Sequence, residues 1–527
     1  MTWWKEQTMT DLDRRQVLKG SGALLALAYG IGVPGAVMAQ NRTTITVAMP
    51  RDLTGRIDPA YRVSFPEGNI LRTVCPGLIS FKPGTFEWEL ACAEKITQVS
   101  DTVIEFELKK GLQFHDGFGE LTAEDVKYSF ERFIKPGADG AVPTHTKEWA
   151  ALDKVEVTGT HAGRIVLKEP APALWKTVLP DVSGCLVSQK AYDAGAYRLD
   201  ANPVKVIGVG AYRFTQWVAN ERTVLTANPD YKGPQPAFKE LILKPIRDPK
   251  TAELALRSGE LQFTVVPPAS AGAIAKLKDI KVLKQDSINF VWVGINVEKK
   301  PFDDIRVRQA ISAALDVDKV VEGAYNGAVG RAYAAVAPGL LGYWPDAPKP
   351  KRDVALAKKL LAEAGQPNLK AKLTLLNTPA YQAAGIIMKA MLAEAGITLD
   401  LEVLDAGAYW SMGKGEPGKN LELSLQRFGG KADPAFQLQW FLSGQVGNWN
   451  WQRWADKKYD ETFQKAGSTM DEAERARLYI AAQKMMADSG AFIWLTHEVN
   501  YLAYASFVQP AVLPNGDDLL YHRFANV

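Results

Sequence analysis

Apolar residues repeat with two different periods along most of this chain. A period-two run of β-branched residues over 43–49 predicts a first strand or an edge strand, because Pro50 follows it directly. A second period-two run, 102–108, predicts another strand. A helix is predicted to begin near Thr122, since three apolar side chains then fall on one helical face: Val126, Phe130 and Phe133.

The same two patterns predict further elements. Helices are predicted over 249–258, 304–315, 353–364, 380–395 and 471–488, and strands over 261–266, 289–296, 373–376, 397–404 and 421–425. A strand pair over 212–226 follows Gly208-Val209-Gly210, and surface loops are predicted at 135–137 and 345–350. Because strands and helices alternate without internal repeats, we expect an α/β or mixed α+β fold whose helices cover mixed sheets.

Residues 1–39 are predicted to be an export signal that takes no part in the fold. Arg14-Arg15 precedes a weakly apolar run, and Val37-Met38-Ala39 offers small residues before a cleavage site. This is the pattern of a twin-arginine signal peptide. The apolar run is shorter than the ~20 residues of a membrane-spanning helix, and no cysteine follows Ala39 for lipid attachment. We therefore expect a soluble periplasmic protein, exported by the twin-arginine translocase and not lipid-anchored.

The composition is that of an ordinary globular chain. Of its 527 residues, 47% are hydrophobic and 23% are charged, which is enough material for two or three domains. A formal net charge of +3 gives no general attraction to nucleic acid or to anionic membranes. The three cysteines do not make a disulfide framework, and Cys75 and Cys92 either pair in an oxidising periplasm or remain thiols.

The sequence offers no catalytic or metal-binding motif. Its five histidines are scattered, and no two have the i, i+4 spacing that places two imidazoles on one helical face for zinc. A nucleophile elbow and a Cys-x-x-Cys motif are also missing. His115 lies in a His-Asp-Gly turn, which more often satisfies its own backbone than binds a ligand. We therefore expect no enzyme, no cofactor and no metal site.

Tryptophan is the most suggestive part of the composition. The chain has fourteen tryptophans, and several lie close together in its second half. This group comprises Trp440, Trp449, Trp451, Trp454 and Trp494, with Tyr409-Trp410 nearby. Indoles give broad flat contact and one N–H donor, which suits a cleft that encloses a ligand. A plain hydrophobic core is the alternative that the sequence leaves open.

Three segments resemble those of one protein family. Residues 300–316, with Pro301-Phe302 and Arg306-Val307-Arg308, are similar to its P-F-x-D-x-R-V-R-x-A segment. Residues 208–214 and 228–231 resemble its G-T-G-P-Y and N-P-x-Y pair. Residues 108–117, followed by 121–126, resemble a third segment that contains F-x-D-G and A-e-D-V. The family is that of the family 5 extracellular solute-binding proteins, the oligopeptide, dipeptide and nickel-binding group of ABC importers. The resemblance spans about 40–527.

This resemblance implies a two-lobed periplasmic binding protein of the large peptide-binding type. Lobe one would comprise 40–285 plus 498–527, with 76–200 as an additional domain, and lobe two would comprise 286–497. A peptide or small-molecule ligand would bind between the lobes and stabilise a closed state, which the permease subunits of the ABC transporter recognise. The chain is expected to be a monomer.

The resemblance also bears on the ligand. Peptide-binding members hold the α-ammonium of the peptide with the aspartate of a W-x-x-D element. In those members an acidic residue and a proline follow this element. If Asp433-Pro434 is aligned with that pair, Gly430 stands in the place of the ligand-binding aspartate. Arg427 would then favour a carboxylate, phosphate or sugar hydroxyl, or form a surface salt bridge. A shifted loop would instead let Asp433 restore the ammonium site.

Candidate ligand contacts follow from the same resemblance. They are Phe65, Glu67 and Asn69 in lobe one, and Tyr409, Trp410, Arg427, Phe428, Asp433 and Trp440 in lobe two. The sequence thus predicts the capture of peptides or peptide-like solutes for an ABC importer. The alternatives are the same role for an opine, an oligosaccharide or another carboxylate-bearing solute and, in other classes, an exported hydrolase or a periplasmic chaperone. Nickel is disfavoured because these segments contain no histidine.

Overall fold

Two mixed β-sheets, built from different parts of the chain, organise the structure. The computed structural model describes residues 43–135 and 140–527. The predicted signal peptide (1–39) and residues 136–137 of a predicted loop therefore lie outside the described residues. We call the part of the fold around the larger sheet lobe one and the part around the smaller sheet lobe two.

The first part of the chain forms most of lobe one. Its strands are β1 (Thr44–Met49), β2 (Ile79–Phe81), β3 (Trp88–Leu90), β4 (Ala93–Ser100), β5 (Val103–Leu108), β6 (Leu152–Gly159), β7 (Ala162–Leu167), β8 (Tyr212–Val218), β9 (Arg222–Ala227), β10 (Glu240–Pro245), β11 (Phe263–Val266) and β12 (Ile280–Asp286). Its helices are α1 (Phe65–Val74), α2 (Ala123–Glu131), α3 (Leu174–Thr177), α4 (Gln189–Asp193), α5 (Pro249–Arg257) and α6 (Pro268–Ile274).

Lobe two follows, and the chain then returns to lobe one. The strands of lobe two are β13 (Phe290–Ile295), β14 (Lys370–Leu376), β15 (Thr398–Leu404), β16 (Leu423–Phe428) and β17 (Phe492–Thr496). Its helices are α7 (Ile305–Ala314), α8 (Val317–Tyr325), α9 (Val354–Glu363), α10 (Pro379–Glu394), α11 (Ala406–Ser411), α12 (Pro434–Leu438), α13 (Lys457–Ser468) and α14 (Glu472–Ser489). The returning strands are β18 (Val499–Ala505), β19 (Val508–Gln509) and β20 (Ala525–Asn526).

The sheet of lobe one has seven strands in the order β12-β18-β11-β1-β10-β9-β8. Strand β1 lies in its interior and pairs in parallel with both β10 and β11. The prediction of a strand over 43–49 is therefore confirmed, but its possible position at an edge is wrong. Pro50 is compatible with this central position because it follows the last residue of β1 and removes no hydrogen bond from within the strand.

The sheet of lobe two has five strands in the order β15-β14-β16-β13-β17. Helices α7 to α10 pack on it through a buried apolar core. Asp304 begins α7 by accepting a hydrogen bond from the Arg306 backbone N–H, at 2.8 Å. Arg308 donates to the carbonyls of Phe302 and Ser489, so this arginine clamps two loops and contributes architecture.

A third, antiparallel sheet in the order β4-β5-β7-β6 lies within the predicted additional domain, 76–200. Its buried residues, such as Ile104 and Ile165, belong to the same continuous core as Leu241 and Leu243 of the seven-stranded sheet. Helix α2 begins at its Thr122 cap, and the predicted apolar residues Val126 and Phe130 are buried on its face. The third predicted residue, Phe133, is also buried but lies beyond the end of the helix at Glu131. The additional sheet therefore shares its core with the rest of lobe one.

The cysteines and His115 have structural surroundings. Cys75, Cys92 and Cys185 are buried free thiols, and burial raises the pKa of Cys92 to about 12. His115 is buried, with Nε2 placed 3.1 Å from the Gly210 carbonyl oxygen, and burial lowers its pKa to about 4. Within the two described ranges, no helix is both long enough and apolar enough to span a membrane.

The Gly208-Val209-Gly210 segment packs against the C-terminal end of α1. A Cβ atom at Gly208 would meet the Val74 carbonyl oxygen at 1.8 Å, and the Gly210 N–H donates to the same oxygen at 2.9 Å. Only glycine fits this close approach of two backbones.

We predict that Gly208→Ala lowers the free energy of unfolding by at least ~1–3 kcal/mol, because the added methyl group forces two backbone segments apart. The measurement is urea denaturation of the protein from Gln40 onward. The matched control is Gly272→Ala in α6, where a Cβ atom has no neighbour within 4 Å and helix propensity favours alanine by ~0.5–1 kcal/mol. Equal effects of the two substitutions would contradict the packing argument.

Candidate ligand-binding cleft

A cleft of about 1150 Å³ separates the two lobes. Lobe one lines it with the start of α1, with residues from 143 to 182, and with Asn515 and Asp518. Lobe two lines it mainly with the segment 427–449, together with Trp410. Pockets for drug-sized molecules usually measure ~300–1,000 Å³. The cleft is therefore large enough for an oligomeric solute.

Aromatic side chains supply much of the apolar surface of the cleft. Lobe two contributes Trp410, Phe428, Phe436, Trp440 and Trp449, and lobe one contributes Phe65, Phe81 and Phe86. The rings of lobe two contact one another edge to face. The ring centroids of Phe436 and Trp440, for example, are 5.4 Å apart. The Trp440 Nε1 is buried without a hydrogen-bond partner among the described residues. This wall combines flat apolar contact with an unused donor.

The tryptophan group of the second half therefore has two roles. Trp410, Trp440 and Trp449 line the cleft, whereas the remaining members are buried in lobe two: Trp451, Trp454 and Trp494. Both interpretations that the sequence left open apply, each to different members of the group.

A lysine of lobe two reaches across the cleft to lobe one. The Lys431 Nζ lies 2.9 Å from Glu148 Oε1 and 2.8 Å from Asp181 Oδ2, and it donates to the Thr177 carbonyl at 3.0 Å. The side chains of all three charged residues are no more than 15% exposed. Ion pairs with this little exposure are weakly screened by solvent. These contacts join the two lobes directly.

Two arginines and a histidine of lobe one complete this charge cluster. Arg72 pairs with Asp181 and, at 2.9 Å, with Asp518. Arg62 lies 4.0 Å from Glu148, and His145 Nδ1 lies 3.1 Å from the same carboxylate. Each carboxylate of the cluster thus has a cation of its own lobe beside it.

The cations keep both carboxylates charged. Burial by itself would raise the pKa of Glu148, but Lys431, His145 and Arg62 hold it well below its usual range. Burial acts on Asp181 in the same direction, and Lys431, Arg72 and Arg62 likewise hold its pKa well below the ordinary value. Glu148 and Asp181 are therefore ionised at neutral pH.

Five predicted contact residues line the cleft. They are Phe65, Trp410, Arg427, Phe428 and Trp440. Arg427 also donates from Nε to Glu498 Oε2 at 2.7 Å, so it forms the salt bridge that was one of its two predicted roles, and its contact with a ligand stays a prediction.

Three other predicted contact residues are buried next to the cleft and hold the chain that surrounds it. Glu67 is 0% exposed and accepts hydrogen bonds from the backbone N–H groups of Thr54, Val63 and Ser64. Asn69 is 4% exposed and donates to the Asp517 carbonyl. Tyr409 is 1% exposed and donates to the Leu425 carbonyl at 2.6 Å.

Asp433 is also placed away from the cleft surface. Its carboxylate lies 2.8 and 3.0 Å from Arg475 Nη2, and it accepts the Ala435 backbone N–H at the start of α12. The side chains of both ion-pair partners are at most 3% exposed. In this structure the carboxylate is engaged inside lobe two and does not line the cleft.

Gly430 has no room for a side chain. A Cβ atom there would meet the Ile288 carbonyl oxygen at 2.3 Å. The Gly430 N–H donates to Asn289 Oδ1 at 3.2 Å, which holds the loop against this segment. An aspartate at this position would require the loop to move.

No sequence pattern pointed to Lys431, Glu148, Asp181, Arg62 or Arg72. Lys431 lies in the segment that would carry the ammonium anchor, but a lysine beside two glycines is typical of an exposed loop. Its two acidic partners are 283 and 250 positions earlier in the sequence, by subtraction of residue numbers, and no local motif connects them.

Comparisons with known proteins agree with this geometry. The profile of the bacterial extracellular solute-binding proteins, family 5 (middle), matches residues 87–462. The chain is 28% identical to Di/tripeptide-binding protein 2 of Pseudomonas aeruginosa, over 92% of this chain and 94% of that protein. It is 27% identical to Heme-binding protein A of Haemophilus influenzae, over 84% and 85% of the two chains.

A solved structure is similar over nearly the same range. The periplasmic binding protein DppA of Helicobacter pylori, in complex with the peptide STSA, superposes with a TM-score of 0.76 at 25% identity. The superposition covers 92% of this chain and 98% of DppA.

The fold and the cleft define a two-lobed solute-binding protein of mixed α/β architecture. The chain belongs to the bacterial extracellular solute-binding proteins of family 5. Among the described residues, no group of three or more His, Cys, Asp or Glu side chains is arranged to hold a metal ion.

We predict that Asp433→Asn lowers the free energy of unfolding by about 3 kcal/mol or more, because it leaves Arg475 buried without its counter-charge. Thermal and urea denaturation measure this loss. The control is Asp488→Asn, an exposed position on the same helix as Arg475, where we expect a change below ~0.5 kcal/mol. A stable Asp433→Asn variant with weakened ligand binding would show that Asp433 acts on the ligand.

Proposed function

We propose that this protein is the periplasmic substrate-binding protein of an ABC importer. It captures peptides or peptide-like solutes between its lobes and delivers them, unchanged, to the membrane permease. The observation that carries the proposal is the cleft of about 1150 Å³ with contact surfaces on both lobes.

The comparisons support peptides as the favoured ligand class. One relative that aligns over nearly the whole chain is named for di- and tripeptides, and the superposed DppA structure holds a peptide. Another relative is named for heme, so membership of the family alone does not fix the ligand. The size and the aromatic walls of the cleft are compatible with a short peptide.

The capture mechanism is a hinge equilibrium. A ligand that contacts Phe65 of lobe one and Trp440 of lobe two at once interacts fully only when the lobes are together. Its binding therefore shifts the population toward the closed form, by an amount that its differential affinity limits. The permease would recognise that closed form.

A second candidate is an opine, an oligosaccharide or another carboxylate-bearing solute in the same role. Three donor nitrogens of cleft-lining residues are buried without a partner among the described residues: Arg62 Nε, Arg72 Nε and Trp440 Nε1. Unpaired buried donors favour a ligand that supplies acceptor oxygens.

Export by the twin-arginine translocase completes the proposal. It rests on Arg14-Arg15 and the apolar run that follows. We infer that the exported protein acts as a soluble monomer in the periplasm, without a lipid anchor.

A thermal-shift screen of the protein from Gln40 onward tests the ligand class. The screen contains di- to pentapeptides, opines and oligosaccharides. A true ligand at 100 times its Kd should add ~2.7 kcal/mol of stability. A shift with peptides supports the favoured class, a shift only with the other solutes supports the second candidate, and no shift with any contradicts both.

We predict that Trp440→Ala weakens binding of the solute found in this screen by about tenfold or more, because tryptophans that a ligand covers contribute disproportionately to binding energy. Isothermal titration calorimetry measures the affinity. The matched control is Trp344→Ala, a half-buried tryptophan of lobe two outside the cleft, where we expect an unchanged Kd. Equal losses in both variants would mean that the effect is not local to the cleft.

We predict that the double substitution Arg14→Lys, Arg15→Lys abolishes export, since the translocase reads the arginine pair. Immunoblots of periplasmic and cytoplasmic fractions give the distribution. Lys19→Arg, which keeps the charge nearby and leaves the pair intact, should be exported normally. Periplasmic accumulation of the double variant would argue for another export route.

A further inference from the structure

The Lys431 ammonium is bound as the ammonium group of a separate alkylamine would be. Its three acceptors are Glu148 Oε1 at 2.9 Å, Asp181 Oδ2 at 2.8 Å and the Thr177 carbonyl oxygen at 3.0 Å. An ammonium group has three N–H donors and no acceptor. The three acceptors therefore match its full donor capacity.

Lobe one holds these acceptors without help from lobe two. Glu148 is fixed by His145 Nδ1 at 3.1 Å and by the Ser183 hydroxyl. Asp181 is fixed by Arg72 and by the Val182 backbone N–H at 2.7 Å. The site is thus built on one lobe, and only its occupant comes from the other.

Apart from His145, the charges of the cluster balance only when Lys431 is in place. The carboxylates are Glu148, Asp181 and Asp518, and the permanent cations beside them are Arg62, Arg72 and Lys431. Removal of Lys431 leaves one net negative charge in a nearly buried site, which would attract another cation.

We propose that Glu148, Asp181 and the Thr177 carbonyl form an ammonium-binding site that Lys431 fills, so that Lys431 sets the specificity of the cleft. A ligand amine finds this site occupied, and the ligand is held through its other groups. The claim about ligand specificity rests on the proposed function. The ammonium-binding site itself rests only on the contacts of Lys431 given above.

Chemical rescue tests the site without any peptide. Lys431→Ala removes the ammonium and leaves space for a small amine, and millimolar n-butylammonium chloride is then added. We expect a lower Tm for the variant and a saturable recovery of at least about 2 °C with n-butylammonium. We expect no such saturable shift for the wild type, whose site is filled.

Three comparisons make the test specific. Tetramethylammonium chloride, which carries the charge but no N–H donor, should not restore the variant. Lys147→Ala removes an exposed cleft lysine of lobe one and should leave Tm and the amine response as in the wild type. Addition of Glu148→Gln and Asp181→Asn to Lys431→Ala should abolish the recovery.

Two outcomes would overturn the proposal. One is an equal response of the wild type and Lys431→Ala to n-butylammonium, and the other is an equal effect of tetramethylammonium on the variant. If Lys431→Ala does not fold alone, its refolding yield with each of the two salts gives the same comparison.

The rescue experiment and the solute screen can fail independently of each other. Rescue by n-butylammonium in a protein that binds no solute in the screen would keep the ammonium site and contradict solute capture. Peptide binding without rescue would keep the proposed function and remove the ammonium site.

Discussion

The two connections between the lobes constrain everything else in this structure. The chain leaves lobe one after β12 and returns at β18, and these strands pair side by side, with Asp286 opposite Val499. On the other side of the crossing, Val291 of β13 lies opposite Thr496 of β17. Two adjacent strands form a narrow joint, so the lobes can meet or separate with little change inside either core. A cleft between the lobes follows from this connection.

The cleft brings charged groups together from both sides of that joint. Desolvated charges are stable only when they are paired, and the acids of lobe one have Arg62 and Arg72 of the same lobe beside them. Lys431 adds a further cation from the loop after β16 of lobe two. Its position depends on Gly430, whose backbone lies against the Ile288 carbonyl at the start of lobe two. The tight loop and the charged contact are thus parts of one arrangement.

Tryptophans of lobe two both fill its core and form the wall of the cleft. Trp451 and Trp494 fill the core of lobe two, while Trp440 and Trp449 continue the same packed cluster to the cleft surface. A wall supported in this way has little freedom to rearrange, so much of its contact surface is already formed before a solute arrives. Preorganised aromatic contact and unpaired donors together favour a solute with both apolar and acceptor groups.

The sequence by itself determined the elements and the family. Strands such as β5 and helices such as α2 and α14 follow from local periodicity and caps, because these depend on residues a few positions apart. The resemblance of three segments gave the two-lobed architecture and five of the residues that line the cleft. Tertiary structure alone decided that β1 is central, that Asp433 pairs with Arg475, and that Lys431 meets Glu148 and Asp181. Those outcomes depend on residues far apart in the chain, which meet only after both sheets have formed and the lobes lie together.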